Sequence, residues 1–260
     1  MFYIYMSMKY CVAVFLLFVL LGCVEKHNTD IHVKQMPLPP NYHDLLGYWQ
    51  WYKTKYYRDS TLHLSNLIAD KDSIHIRFWN DRGSVVDIWS ADGNTFNGIV
   101  TSYVDTFEEA AYNGYPTITR FLKDTIDVSL AKHIFNEWQK IAPLADKEIK
   151  GWKYGIMDGI CFSFEITTPS FYKIESYCNP ALQVITQGKL VTKVINNIDS
   201  DLALTNRFGR LYDSLKPGMY FATPGYLGSV IKTPDNSESK NLKKHFLNRL
   251  HDSSYYYSSQ

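Results

Sequence analysis

LAKHIFNEWQKI, Leu130–Ile141, is where the chain changes period. Leu130, Ile134, Trp138 and Ile141 fall on one helical face. Pro143 requires the helix to end before it. Earlier segments keep a period of two. Ser73–Asn80 alternates, with Ile74, Ile76 and Phe78 facing one way and His75 and Arg77 the other. Ser84–Ser90, Phe96–Thr106 and Thr117–Leu122 are further predicted strands, and Ala91–Asn94 is a turn between two of them. Leu45–Tyr57, LLGYWQWYKTKYY, is aromatic and predicted to be extended.

Beyond the helix, Gly151–Gly159 leads into a hairpin. Ile160, Phe162, Phe164 and Ile166 alternate with Cys161, Ser163 and Glu165, and the return strand runs Tyr172–Cys178. Asn179-Pro180 predicts a helix start, with proline at the first helical position. Leu190, Val191, Val194, Ile195 and Ile198 carry helical spacing, which Gly188 weakens. A second helix holds Leu204, Phe208, Leu211 and Leu215, and Pro217-Gly218 stops it. Met219–Ile231 reads as a short returning strand, and Asn241–Leu250 as a small polar helix. No internal repeat is present. Two antiparallel meanders separated by helices predict an α+β fold with helices packed on the sheet. The globular part covers 45–232, with a sub-boundary admitted near 143–150, and 233–260 is a polar, partly loose tail.

The N-terminus reads differently. Cys11–Leu21, CVAVFLLFVLL, is an unbroken apolar run. It is too short to span a bilayer, which takes about 20 residues, and it fits the apolar region of a secretory signal. The chain turns polar straight after Gly22-Cys23. Leu20-Leu21-Gly22-Cys23 resembles the lipobox of bacterial lipoproteins. That resemblance implies a signal peptide at 1–22 and diacylglyceryl and palmitate-type acyl groups on Cys23. It also implies anchoring in the cell envelope; Val24 stands where an aspartate would mark inner-membrane retention, so the outer membrane is expected. Several acyl chains on one residue give stable anchoring. Residues 23–44, with Pro37, Pro39 and Pro40, read as a flexible tether spanning about 25 Å.

Lys and Arg total 27 against 26 Asp and Glu, and removing Lys9 with the signal brings the formal charge to zero. This excludes an electrostatic footprint for nucleic acid and a polybasic lipid patch. Aromatics at 15% favour a packed body. Cys161 and Cys178 remain in a compartment that allows a disulfide. Pairing Phe164 with Ile174 aligns the apolar faces and sets Glu165 opposite Lys173. That register puts the two cysteines on opposite faces and argues against the bond.

The motifs HExxH, CxxC, GxSxG, GxxxxGK[ST] and GxGxxG are absent from the sequence. Asn197–Asp201 begins like a calcium loop, but Leu202 and Phe208 stand where Gly and Glu are needed. Asp199 or Asp201 is instead expected to cap the following helix. Asp105, Glu108 and Glu109 form the densest carboxylate group and read as solvated. His75 and His133 read as surface histidines, and Cys161 has no visible catalytic partner. No catalytic residue, metal ligand or cofactor is assigned.

Tyr48, Trp49, Trp51 and Tyr52 are the ligand-contact candidates, since aromatic platforms serve ligands as well as cores. Gly47-Tyr48-Trp49 resembles the G-x-W signature of lipocalins, which implies eight strands in a row; here the 130–141 helix follows about five. The body from Ser73 to Tyr220 resembles a diffuse set of uncharacterised lipoproteins of Bacteroidetes-like bacteria. The resemblance rests on ADGNTFNG, GWKYGIMDGICFSFEI, SFYKIESYCNP and LKPGMY, and it implies no active site. The expectation is a membrane-anchored, non-enzymatic protein-interaction domain of unknown partner. A lipocalin-like small-ligand binder is the alternative, and a hydrolase without a recognisable motif is third.

Overall fold

The computed structural model describes residues 55, 57–80, 82–107, 118–142, 149–153, 160–222, 230–232 and 244. Cys23, the tether, Tyr48, Trp49, Trp51, Tyr52, Glu108, Glu109 and the tail apart from Lys244 lie outside them. Four strands come first: β1 Ile74–Asn80, β2 Ser84–Ser90, β3 Asn97–Phe107 and β4 Ile118–Ile126. Helix α1, Val128–Gln139, follows. Then come β5 Cys161–Thr167, β6 Tyr172–Cys178, α2 Thr186–Asp201, α3 Leu204–Ser214, β7 Tyr220–Ala222 and β8 Val230–Ile231. The fold is α+β, as the change of period predicts.

All pairings are antiparallel, in the order β6-β5-β1-β2-β3-β7-β8. β4 lies along the other edge of β3. β2 pairs with β3 up to Ser102 and β7 from Asp105 onward, so β7 continues the row where β2 stops. Because β1 pairs directly with β5, the strands before and after α1 share one sheet. Among the described residues the sheet is open, with β6 at one margin and β4 and β8 at the other, so it does not form the closed row of eight that a lipocalin needs.

One sheet face carries Ile76, Phe78, Val86, Ile88, Val100, Phe162, Phe164 and Ile166. On it lie Ala131, Ile134, Phe135 and Trp138 of α1 and Val191, Val194, Ile195 and Ile198 of α2. Each fully buried Ile or Phe contributes about 1.5–3 kcal/mol. Asp127 caps α1, its carboxylate accepting from the Leu130 amide at 2.9 Å. Gly98 lets β2 and β4 approach the start of β3: a Cβ there would meet Ile88 Cδ1 at 2.7 Å and Ile126 Cδ1 at 2.9 Å. A second cluster joins Phe208, Leu211 and Tyr212 of α3, and Leu215 just after it, to Val104 and Phe221.

Four local expectations are corrected. Lys55 and residues 57–61 are helical, not extended; Lys55 pairs with Asp59 one turn on. After Asn179 the chain makes only a 3-10 turn, Pro180–Leu182, before α2 begins at Thr186. Asp199 and Asp201 lie inside the last turn of α2, so neither caps α3, whose N-cap is Ala203. The fourth is the hairpin register. Phe164 stands opposite Glu175, Glu165 opposite Ile174, and Cys161 opposite Cys178. A disulfide joins the two cysteines.

This register sets a carboxylate beside Phe164 on the apolar face, and that cost is met locally. The Lys173 ammonium reaches the buried Glu175 carboxylate at 2.6 Å, and the Tyr177 hydroxyl donates to it at 3.4 Å. Tyr177 then enters the core and also lies 3.0 Å from the Ile141 carbonyl. A buried carboxylate with partners is tolerated where an unpaired one would not be.

Candidate functional site

The second sheet face is covered over much of its width. Helical turn 57–61 ends with His63 in the left-handed region (φ 51°). The His63 amide donates to Ser60 O and the Leu64 amide to Asp59 O, which is the Schellman arrangement. It sends residues 64–73 back over the strands. Side chains that alternation assigns to this face are therefore covered, together with a small apolar cluster of Leu62, Val85 and Tyr103.

Arg77 is fully buried here. Its Nε donates to Asp87 Oδ1 at 2.7 Å, Nη1 to Asp59 at 3.1 Å and Nη2 to the Ser65 carbonyl at 3.0 Å. Glu165 is fully buried as well; Lys55 Nζ lies 3.1 Å from it, the Tyr172 hydroxyl donates at 2.5 Å, and the Trp79 indole donates to its other oxygen. Arg58 forks onto Asp105 at 2.7 and 2.9 Å, and Thr119 donates to the same carboxylate at 2.7 Å. Asp105 is thus a structural anchor and not a solvated carboxylate; Glu108 and Glu109, grouped with it in the sequence, lie outside the described residues.

His75, read from sequence as a surface residue, is buried between two acids. Nδ1 faces Asp70 Oδ2 at 2.5 Å and Nε2 faces Asp87 Oδ1 at 3.0 Å. Burial works to lower its pKa, but hydrogen bonds to Asp70 and Asp87 outweigh it and hold the imidazolium above the ordinary histidine value. Burial likewise works to raise Asp70, yet hydrogen bonds from His75 and the Asp72 amide hold it at about 2. Burial also opposes ionisation of Asp87, whose carboxyl Arg77 and His75 keep below its usual range. His133 fits the surface reading: it is half-exposed and lies 2.9 Å from Asp201.

Beside His75 opens a cleft of about 550 Å³. One wall is the 63–72 segment, including Leu64, Asp70, Lys71 and Asp72; the floor is Trp89, Ile99, Asp87 and Thr101, with Lys123 at the far side. Lys123 donates to the His63 carbonyl at 2.8 Å, and partial burial draws its pKa below the ordinary lysine value. Thr101 is fully buried, and its hydroxyl has no hydrogen-bond partner among the described residues. Ligand atoms of Asp70, Asp72 and His75 lie within 4.8 Å of one another. Both ring nitrogens of His75 already face carboxylates, so a metal there would have to displace the Asp70–His75 hydrogen bond.

None of these residues stood among the sequence candidates. The signal that bears on them is Asp87 in SVVDIWS, one acid among the apolar residues of the strand's interior, in register with Arg77 on β1. No described helix is long and apolar enough to cross a membrane. No protein family, curated protein or solved structure matches the chain.

Proposed function

We propose that this is an envelope lipoprotein, held to the outer membrane through lipid on Cys23, whose domain binds a small molecule without transforming it. The cleft beside His75 carries the reading. Its volume of about 550 Å³ falls within the roughly 300–1,000 Å³ of small-molecule sites, and it combines an apolar floor with a few polar groups. This favours the small-ligand reading over protein docking. Among the described residues, the exposed large apolar side chains Tyr57, Ile118, Val128, Phe171, Val184 and Leu190 are spread over several elements. The acids and bases of the covered face point to binding rather than reaction, since His75, Asp87, Asp105 and Glu165 are each held by neighbouring side chains.

Two measurements test the proposal. Cys23→Ala should leave a precursor with its signal uncut or release the protein from detergent-extracted membranes; a variant that matures and fractionates like wild type refutes the anchor. Native mass spectrometry of the lipoprotein released gently from its host envelope should show added small-molecule mass. Added mass from a protein alone would return the reading to docking.

A further inference from the structure

Charges around the cleft beside His75 are unevenly committed. On the β1 side they are paired within the protein: His75 lies between Asp70 and Asp87, and Arg77 holds the same Asp87 oxygen. That side asks for no charged ligand group. Lys123 differs. Among the described residues no carboxylate lies within ion-pair distance of its ammonium, and its hydrogen bond goes to a neutral carbonyl, His63 O. Asp124, the next residue, belongs to the other sheet face and is taken by Arg207 and Arg210. Asp87 attracts Lys123 and Arg77 repels it, so the floor's own charges oppose each other there. An ammonium has three donors; Lys123 can keep its bond to His63 and still donate to a ligand.

Thr101 is the independent observation. It stands opposite Lys123 in the β3–β4 register and lines the cleft. It is fully buried, and its hydroxyl has no hydrogen-bond partner among the described residues. Keeping such a hydroxyl is costly. A step about χ1 carries it to another staggered position, where an acceptor held by Lys123 gives it a bond. One ammonium and one hydroxyl at one corner match the two oxygens of a single carboxylate.

From that corner the floor turns apolar. Ile99 is two residues along β3 from Thr101, and Trp89 pairs with Asn97, two further on. At about 3.4 Å per residue the strip is roughly 14 Å long. Ile99 and Trp89 are both only partly buried, and Leu64 faces the cleft from the covering segment. A hydrocarbon chain with bonds of about 1.5 Å advances roughly 1.3 Å per carbon, so about eight carbons run from the corner to the Trp89 ring. We infer that the cleft takes a medium-chain monocarboxylate, its head at Lys123 and Thr101 and its apolar chain along Ile99 to Trp89. This rests on the small-ligand reading of the same cleft and narrows it to one chemical class.

Calorimetric titration of the full-length lipoprotein in detergent with octanoate, read against detergent alone, tests it. Octanoate should bind, and octanamide, with the same chain and no charge, about tenfold more weakly. Hexanoate, two methylenes shorter, should also bind about tenfold more weakly. Lys123→Met should weaken octanoate about tenfold and leave octanamide unchanged, which shows the cleft still formed. Thr101→Val should weaken octanoate without lowering the urea midpoint. Equal affinities for octanoate and octanamide, or octanoate binding untouched by Lys123→Met, overturn the carboxylate head and leave a small-ligand cleft in place. No binding of octanoate also overturns it, and added small-molecule mass in the native spectrum then tells whether the cleft serves another ligand.

Discussion

Removing the Cys161–Cys178 bridge gives a test with a calculable size. The two residues are 17 apart in sequence. Closing a loop of that length takes about 3 kcal/mol of conformational entropy out of the unfolded chain. The bridge ties β6, a marginal strand, to β5. The double variant Cys161→Ala/Cys178→Ala should therefore lose about 3 kcal/mol. With a urea dependence of about 2–3 kcal/mol per molar for a domain of this size, the midpoint should fall by about 1 M. Tryptophan fluorescence reports the transition, and reduced wild-type protein should behave like the variant. Hydrogen exchange should quicken in β6 before it quickens in β1 or β2. Unreduced peptide mapping should return the two cysteines as one linked fragment. A variant midpoint within about 0.2 M of wild type, or separate thiol-bearing fragments, would refute both the register and the bond.

Arg77→Met should destabilise the domain by about 3–5 kcal/mol, because Asp87 and Asp59 would stay buried with one partner fewer; a loss under about 1 kcal/mol in the same urea assay would show that the network is not closed to water. The His75–Asp70 contact predicts a stability plateau. The folded pKa of His75 is raised above 6.5, so its contribution is complete below about pH 6.5 and fades as pH climbs through the folded value. Asp70, held at about 2 against 3.8 unfolded, contributes above about pH 3.8 and loses that contribution as pH falls toward about 2. Solvent screening at the cleft edge reduces the Asp70 share to about 1 kcal/mol. Urea midpoints from pH 3 to pH 9 should show both flanks in wild type, both reduced in Asp70→Asn; identical profiles would contradict the pairing.

Most elements were legible because burial writes itself into period. Ile74, Ile76 and Phe78 announce β1, and Leu130, Ile134 and Trp138 announce α1. β4 reaches four residues past its expected end at Leu122, since Lys123, Asp124 and Thr125 break the apolar alternation while the ladder to Gly98 continues. The β5–β6 register escapes the sequence for a related reason. Matching apolar residues to apolar residues leaves Glu175 without a partner, although Lys173 stands two positions away on the same side of the strand. The site was not legible at all. Alternation says that His75 and Arg77 share a face; it does not say what lies over that face. The cover is the stretch 62–73, which has no period of its own.

Lys55 and the turn at 57–61 are the first described piece of the chain, and they are tied by charge to three strands: Asp59 to β1, Arg58 to β3, Lys55 to β5. If the chain hangs from a lipid at its start, a pull from the membrane meets these ties first among the described residues. They bear the load before the apolar contacts beneath α1 and α2 do. Such a molecule yields under tension by shedding its N-terminal strap and opening the cleft beside His75, while the sheet and its helices stay folded.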